Sequence, residues 1–222
     1  MNTYNVLIID DHPIIADVYK SALLSIEKKS KDFTFNINFV NTSDKAITKI
    51  NSKDAEYELI FLDVKLPKSK DGEILSGEDL GVEIRKCIPE AKIIVSTTYN
   101  DNYRINNILK SVNPDGFLVK NDITPKDLVS AIEAILDDSH YYSKTVLKLF
   151  RKHINNDFFL DKIDRKLLYE LSIGTKTIDL PKFIPMSIGG IERRKRQLKE
   201  LFDVQKKDDK DLIQLAKAKG FI

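Results

Sequence analysis

Four widely separated places in the chain carry groups suited to phosphoryl chemistry: the adjacent carboxylates Asp10 and Asp11, a third carboxylate at Asp63, the Thr97 hydroxyl and the Lys120 ammonium. Each closes a short apolar run, spelled VLIIDD, LIFLD, IIVSTT and GFLVK. Three carboxylates sharing one pocket repel each other, which raises at least one pKa unless a cation occupies the site. A hard divalent ion fits such a set, since Mg²⁺ takes oxygen ligands and is usually held by one or two carboxylates together with phosphate oxygens. With Thr97 as a hydroxyl donor and Lys120 placed to meet phosphoryl oxygens, the residues form a phosphoryl-transfer site assembled by electrostatics. Taken singly, each has a plainer explanation: a helix start before Pro13, a backbone-satisfied threonine, a solvated lysine. Their order on successive strand ends favours chemistry.

Those ends must be brought together by a sheet. Val6–Ile9, Phe33–Val40, Leu59–Leu62, Ile93–Val95 and Phe117–Val119 read as five strands, being short apolar or alternating runs bounded by turn residues. Ile14–Glu27, Asp44–Asn51, Glu78–Cys87, Tyr103–Lys110 and Pro125–Leu136 read as the helices between and after them, the last with Leu128, Ala131, Ile132 and Ile135 at helical spacing. The alternation predicts an α/β fold, a doubly wound (βα)5 parallel sheet, over residues 1–136. In such sheets ligands bind at the C-terminal ends of the strands.

The remainder is different in kind. Residues 137–157 read as a linker with some helix, and residues 158–222 as a small all-α domain with no strand. A helix is expected from Lys162 to Ile173, capped by Asp161 with Asp164 in the capping-box position and stopped by Gly174. A short segment near Leu180–Ile184, a helix over Ile188–Phe202 and a last one from Asp209 to Lys219 follow. Residues 1–150 hold 19 basic against 23 acidic residues, and residues 151–222 hold 17 against 11, so a slightly acidic front precedes a basic tail. That asymmetry points to separate partners, nucleic acid being the candidate for the tail. The single Cys87 excludes an internal disulfide framework, and His12, His140 and His153 do not make a zinc site. With neither a membrane-length apolar stretch nor a cleavable signal pattern, the expected location is cytoplasmic, with no membrane partner.

In the helix from Ile188 to Phe202, Ser187 is a natural N-cap, and Ile191, Leu198, Leu201 and Phe202 share the side that should pack inward. Gly189, Arg193, Arg196 and Glu200 fall opposite, while Arg194 and Lys195 lie towards the flanks. Outer arginines with flanking cations suit guanine edges and the DNA backbone.

At this point the first 136 residues resemble the receiver domains of two-component response regulators, on the strength of Asp10–Asp11, LDVKLP around Asp63, Thr97 and GFLVK with Lys120. The resemblance implies that Asp63 accepts a phosphoryl group from a histidine kinase. It implies Mg²⁺ held by Asp11, Asp63 and the Lys65 backbone carbonyl, with Asp10 assisting through water. It also implies that Lys120 pairs with the phosphoryl group and that Thr97 swings towards it while the aromatic at Phe117 packs inward as the second part of the switch. Lys65 and Tyr99 occupy positions that influence hydrolysis in receivers, and their bulk implies a long-lived phosphate. The stretch VKLPKSKDGEILSGEDLG is longer than the family's usual loop and reads as a lid, a docking loop or a tolerated insertion.

Residues 160–222 resemble the LuxR-type helix-turn-helix domain that commonly follows a receiver. The resemblance implies DNA contacts from Ser187, Glu192, Arg193, Arg194, Lys195, Arg196 and Lys199, with Arg193 and Arg196 at base-reading positions. Glu192 stands where a basic residue is often found, and Pro181 falls in the short scaffold helix, tolerable there near a first turn. The expectation is a DNA-binding response regulator, not an enzyme, that dimerises when phosphorylated. Three rivals remain: a protein-interaction module acting without phosphate or DNA, a Mg²⁺-dependent phosphohydrolase, and a DNA-binding protein that dispenses with phosphate, which the intact set Asp10, Asp11, Asp63, Thr97 and Lys120 disfavours. Haloacid-dehalogenase-like phosphohydrolases want an acid two residues after the nucleophile, where this chain has Lys65.

Overall fold

The run Val6–Ile9 offers no polar side chain to solvent, and all four residues are fully buried, as a parallel strand covered on both faces requires. It forms the inner half of β1 (Asn2–Ile9). The computed structural model describes residues 2–30, 32–52, 56–99, 101–152, 159–205 and 208–222. β1 lies between β2 (Phe33–Val40) and β3 (Leu59–Asp63), followed outward by β4 (Lys92–Thr97), β5 (Gly116–Val119) and β6 (Tyr141–Tyr142). The order is β2-β1-β3-β4-β5-β6, every pair parallel. Between the strands run α1 (Pro13–Lys29), α2 (Ser43–Ile50), α3 (Gly77–Cys87), α4 (Asn102–Val112) and α5 (Pro125–Leu136).

The expected five-strand α/β architecture is present, with one addition. Tyr141 and Tyr142 lie in the segment 137–157 expected as linker, yet pair as β6, with the Tyr141 N–H donating to the Asp115 carbonyl and the Ser143 N–H to that of Phe117 (3.2 and 3.0 Å). Two residues are too few to show alternation, although paired aromatics suit an edge strand. α6 (Lys144–Lys152) follows, burying Val146. Residues 153–157 of the expected linker, His153 among them, lie outside the described residues.

The chain divides into two units, one of residues 1–100 with 111–154, the other of residues 101–110 with 155–222. In the first, α1 and α5 cover one sheet face, where Tyr19, Leu23, Ile26, Leu128 and Ile132 pack on Val6, Ile8, Phe61 and Leu118. The long loop before α3 is folded onto α2. The Lys70 N–H donates to Asp44 Oδ1 (3.1 Å), and Ser43 Oγ to the Pro67 carbonyl (3.0 Å).

The second unit contains α7 (Lys162–Ser172), a 3₁₀ helix (Thr177–Lys182), α8 (Ile188–Leu201) and α9 (Asp209–Ala218) around Leu167, Leu168, Leu180, Ile191, Leu198 and Leu212. The capping box of Asp161 and Asp164 is present, and Gly174 ends α7 with φ at +88°. Pro181 sits near the end of the 3₁₀ helix rather than at its first turn. It is accommodated because the local bonds come from Asp179 N–H to the Lys176 carbonyl and Phe183 N–H to that of Leu180, neither needing a proton on Pro181. Residues 101–110 contribute here: the Asn107 carboxamide both donates to and accepts from the Leu160 backbone (3.2 and 2.6 Å). Arg104 is buried with its guanidinium 5.2 Å from the Phe221 ring.

Candidate functional site

β1 and β3 are adjacent, so the residues that end them meet. Asp10, Asp11, His12 and Asp63 each place a ligand atom within 4.8 Å of the others. Asp10 and Asp63 are almost wholly buried, and Lys120, just past β5, reaches both: Nζ lies 2.8 Å from Asp10 Oδ2 and 3.2 Å from Asp63 Oδ2. The other oxygens are held by local backbone, His12 N–H donating to Asp10 Oδ1 (2.9 Å) and Lys65 N–H to Asp63 Oδ1 (3.3 Å). Burial pushes the Asp63 carboxyl above the usual carboxylate range; the Lys120 ammonium opposes this, and the Asp10 charge reinforces it.

The donor set fits a hard cation. Asp11 Oδ1 is buried without an aligned hydrogen-bond donor, although His12 Nδ1 stands 2.6 Å away, so a carboxylate oxygen faces the cluster unsatisfied. Lys120, with the His12 imidazole beside Asp10 and Asp11, faces three carboxylates, and a divalent oxygen-seeking ion suits that acidic excess.

Backbone fit at Asp63 is equally specific. The long loop returns at Gly77, whose N–H donates to the Val64 carbonyl (2.9 Å). A Cβ on Gly77 would stand 1.8 Å from the Asp63 carbonyl oxygen. No side chain fits there, and this glycine sets how closely α3 can start beneath the strand end.

Thr97 ends β4 fully buried, its Oγ1 accepting from the Tyr99 N–H (3.0 Å). That bond leaves the threonine's own proton for another acceptor. Phe117 is also fully buried. Lys65 is exposed and Tyr99 half-buried. Two features of the site lie outside the residues expected from the sequence. His12 follows directly on the acid pair, a signal that adjacency could have supplied. Tyr19 and Ser96, hydrogen-bonded across 77 positions, carry no local signal.

In the second unit Ser187 caps α8 by accepting from the Gly190 N–H (3.2 Å). Glu192, Arg193 and Arg196 are exposed, as expected for an outward face. Arg194, Lys195 and Lys199 each hold an ion pair within the unit. Arg194 Nη1 pairs with Asp161 and Asp164 (2.6 and 2.8 Å), joining α8 to the start of α7. Lys195 is buried and pairs with Asp209 (2.7 Å), which Lys199 also meets (2.8 Å). Burial opposes the charge on Asp209, but the two lysines outweigh it and hold the carboxyl below the usual range.

A family model described as the response regulator receiver domain matches residues 6–133. Among curated proteins, the transcriptional regulatory protein RcsB of Escherichia coli strain K12 is 28% identical over 153 residues, covering 68% of this chain and 65% of that protein. The aligned stretch thus spans a little under two thirds of that relative. Among solved structures, the isolated REC domain of RcsB from Salmonella enterica serovar Typhimurium, in the presence of the phosphomimetic BeF3⁻, matches 67% of this chain and 99% of that one, with a TM-score of 0.55 and 26% identity. RcsB from the same organism bound to promoter P1flhDC matches 96% of this chain and 97% of that one, with a TM-score of 0.61 and 22% identity. The latter extends the likeness of fold through the helical C-terminal region.

Proposed function

The chain belongs to the response regulator receiver domain family, and on that premise we propose that it is a two-component, DNA-binding regulator of transcription that carries its phosphoryl group on Asp63. The observation that supports this most is the buried Asp63 carboxylate set between Asp10 and Lys120 at the mouth of the sheet. An Asp63 oxygen attacks the phosphorus of a phosphohistidine on a sensor kinase, so that an O–P bond forms as the P–N bond breaks and the imidazole leaves. Lys120 holds the nucleophile in place and then meets the transferred oxygens. Asp11, Asp63 and the Lys65 carbonyl, with Asp10 through water, would hold Mg²⁺, which neutralises charge shared by carboxylates and phosphate. A groove lined by Ile14, Val18 and Leu128 along α1 and α5, with Ile14 78% exposed, offers apolar surface to the kinase.

The acyl phosphate adds charge that nearby donors can read. Thr97 turns its own hydroxyl proton to the phosphoryl group, and Phe117 stays buried as this state requires. The changed surface then favours a homodimer, whose two α8 helices meet half-sites about one helical turn apart on duplex DNA. Glu192, Arg193 and Arg196 are the base-facing residues of this reading, and Ser187 fixes the helix start. The location that follows from these partners is the cytoplasm, and among the described residues no helix is long and apolar enough to cross a membrane. The chain is read as a regulator and not as a phosphatase, because Lys65 stands where a haloacid-dehalogenase-like enzyme needs its acid.

The test is incubation with Mg²⁺ and acetyl phosphate, followed by intact mass, oligomeric state and duplex-DNA binding at several salt concentrations. One phosphoryl adduct absent from Asp63→Asn, with dimer formation and tighter DNA binding, is expected. An adduct persisting on an aspartate of Asp63→Asn overturns the site, and salt-independent or negligible DNA binding overturns the role of α8.

A further inference from the structure

On the α1 side of the acidic pocket lies a pair of buried hydroxyls that the phosphoacceptor chemistry does not itself require. Tyr19 Oη donates to Ser96 Oγ at 2.6 Å, both residues buried. The Tyr19 ring stacks on Phe61 of β3 with centroids 4.7 Å apart and planes 17° from parallel. The phenol is therefore fixed at both its face and its tip. Burial makes its ionisation unfavourable, the Ser96 bond opposes that, and the charges of Asp10 and Asp63 add to it. It remains a neutral donor beside two carboxylates.

Ser96 is the residue on which the site's backbone converges. It is the register partner of Asp63 across β3 and β4, and of Leu118 across β4 and β5. Its carbonyl accepts from the Val64 N–H (3.1 Å), the residue after the nucleophile. Its neighbour is Thr97, whose hydroxyl is tied forward to Tyr99. β4 is thus flanked by a register partner on both sides at Ser96, and Thr97, the last residue of the strand, keeps a partner only in Val119 of β5.

We propose that Tyr19 is a positioning residue of the phosphoacceptor site: its bond to Ser96 pins the end of β4 to α1 and keeps Thr97 within reach of a phosphoryl group on Asp63. This rests on the reading of Asp63 as phosphoacceptor. A pinned Ser96 confines the response to the Thr97 side chain and the residues after it. An unpinned one lets the strand end yield, so that Thr97 holds the phosphoryl group less firmly and water removes it sooner.

Two variants separate positioning from packing. Tyr19→Phe keeps the ring on Phe61 but leaves the Ser96 hydroxyl buried without its donor, whereas Tyr19→Phe with Ser96→Ala removes both halves of the bond and leaves no orphan. Each is labelled with acetyl phosphate and Mg²⁺ and then freed of donor, and the decay of the intact-mass adduct is followed beside thermal unfolding. The expected result is adduct formation in all three proteins, with decay at least threefold faster in both variants, and a melting temperature lowered in Tyr19→Phe but recovered in the double variant. Decay at the parental rate in both variants overturns the proposal, as does a decay rate that recovers together with the melting temperature, which marks a purely structural bond. An absent adduct in the parent protein overturns the phosphoacceptor reading itself.

Discussion

The acidic pocket and α8 both gather like charges, and they dispose of them in opposite ways. At the pocket three carboxylates, two of them buried, exceed their one ammonium partner, and Asp11 Oδ1 has the His12 imidazole beside it but no aligned donor. On α8 the buried or half-buried cations are matched, Arg194 by Asp161 and Asp164 and Lys195 by Asp209, while Arg193 and Arg196 stand exposed. Charge left unbalanced in a buried site is available for a ligand. Charge balanced within the fold is architecture, and recognition then falls to the exposed residues. Arg194 and Lys195, read from the sequence as flanking cations suited to DNA phosphates, both hold ion pairs within the fold.

The largest way to break the first half of this contrast is steric. Gly77→Ala places a methyl group against the Asp63 carbonyl and should cost about 3 kcal/mol, read as a lowered urea midpoint together with lost phosphoryl uptake. Unchanged uptake would show that the pocket tolerates a displaced strand end. The second half is tested by Lys195→Ala, which strands the Asp209 charge against Lys199 alone. Because Asp209 is partly exposed, the expected loss is about 1–2 kcal/mol, seen in thermal unfolding, with the salt slope of DNA binding unaltered. A slope reduced by about one would return Lys195 to the phosphate contacts.

Smaller in stability but sharper in meaning are Arg193→Ala and Arg196→Ala. Each should relax base preference by about 1–3 kcal/mol at one position while leaving stability within about 0.5 kcal/mol, which binding to a panel of single-base operator variants would measure.

The finest distinction is in pH. The raised pKa of Asp63 means that its ionised form costs stability above the ordinary carboxylate value of about 3.9, a cost relieved as acid protonates it. Asp63→Asn should therefore unfold at higher temperature than the parent near neutrality, with the gain shrinking towards pH 4. The depressed pKa of Asp209 has the opposite sign: its stabilisation is present above about pH 4 and lost as pH falls through the folded value. The deficit of Lys195→Ala should accordingly fade in acid. Melting curves across a pH series would show both trends.

Much of the receiver fold and its pocket is legible in the sequence because burial on both faces forces unbroken apolar runs, and those runs point directly at Asp10, Asp63, Thr97 and Lys120. Caps are legible for the same local reason: Asp161 with Asp164, and Ser187, act within three residues of themselves. β6 is not, since Tyr141 and Tyr142 acquire strand character only from their pairing with Gly116 and Phe117. The inward turn of Lys195 depends on Asp209, and the Tyr19–Ser96 bond on two distant elements. Helical periodicity places Lys195 on a flank and cannot show that an acid on another helix will claim it.

The grouping of residues 101–110 with the C-terminal helices has a consequence for the route along the covalent chain. Counted from the nucleophile to α8, that route is more than a hundred residues long. Counted from Thr97, it is four positions to Asp101, where the second unit begins. Asn107 and Arg104 are embedded in that unit's own packing. The helical unit is therefore discontinuous in sequence, and a fragment cut at the linker would keep its buried apolar residues but lose the Asn107 bonds to Leu160, the Arg104 contact with Phe221 and the packing of Tyr103. Dissection of this protein should respect that topology rather than the order of its residues.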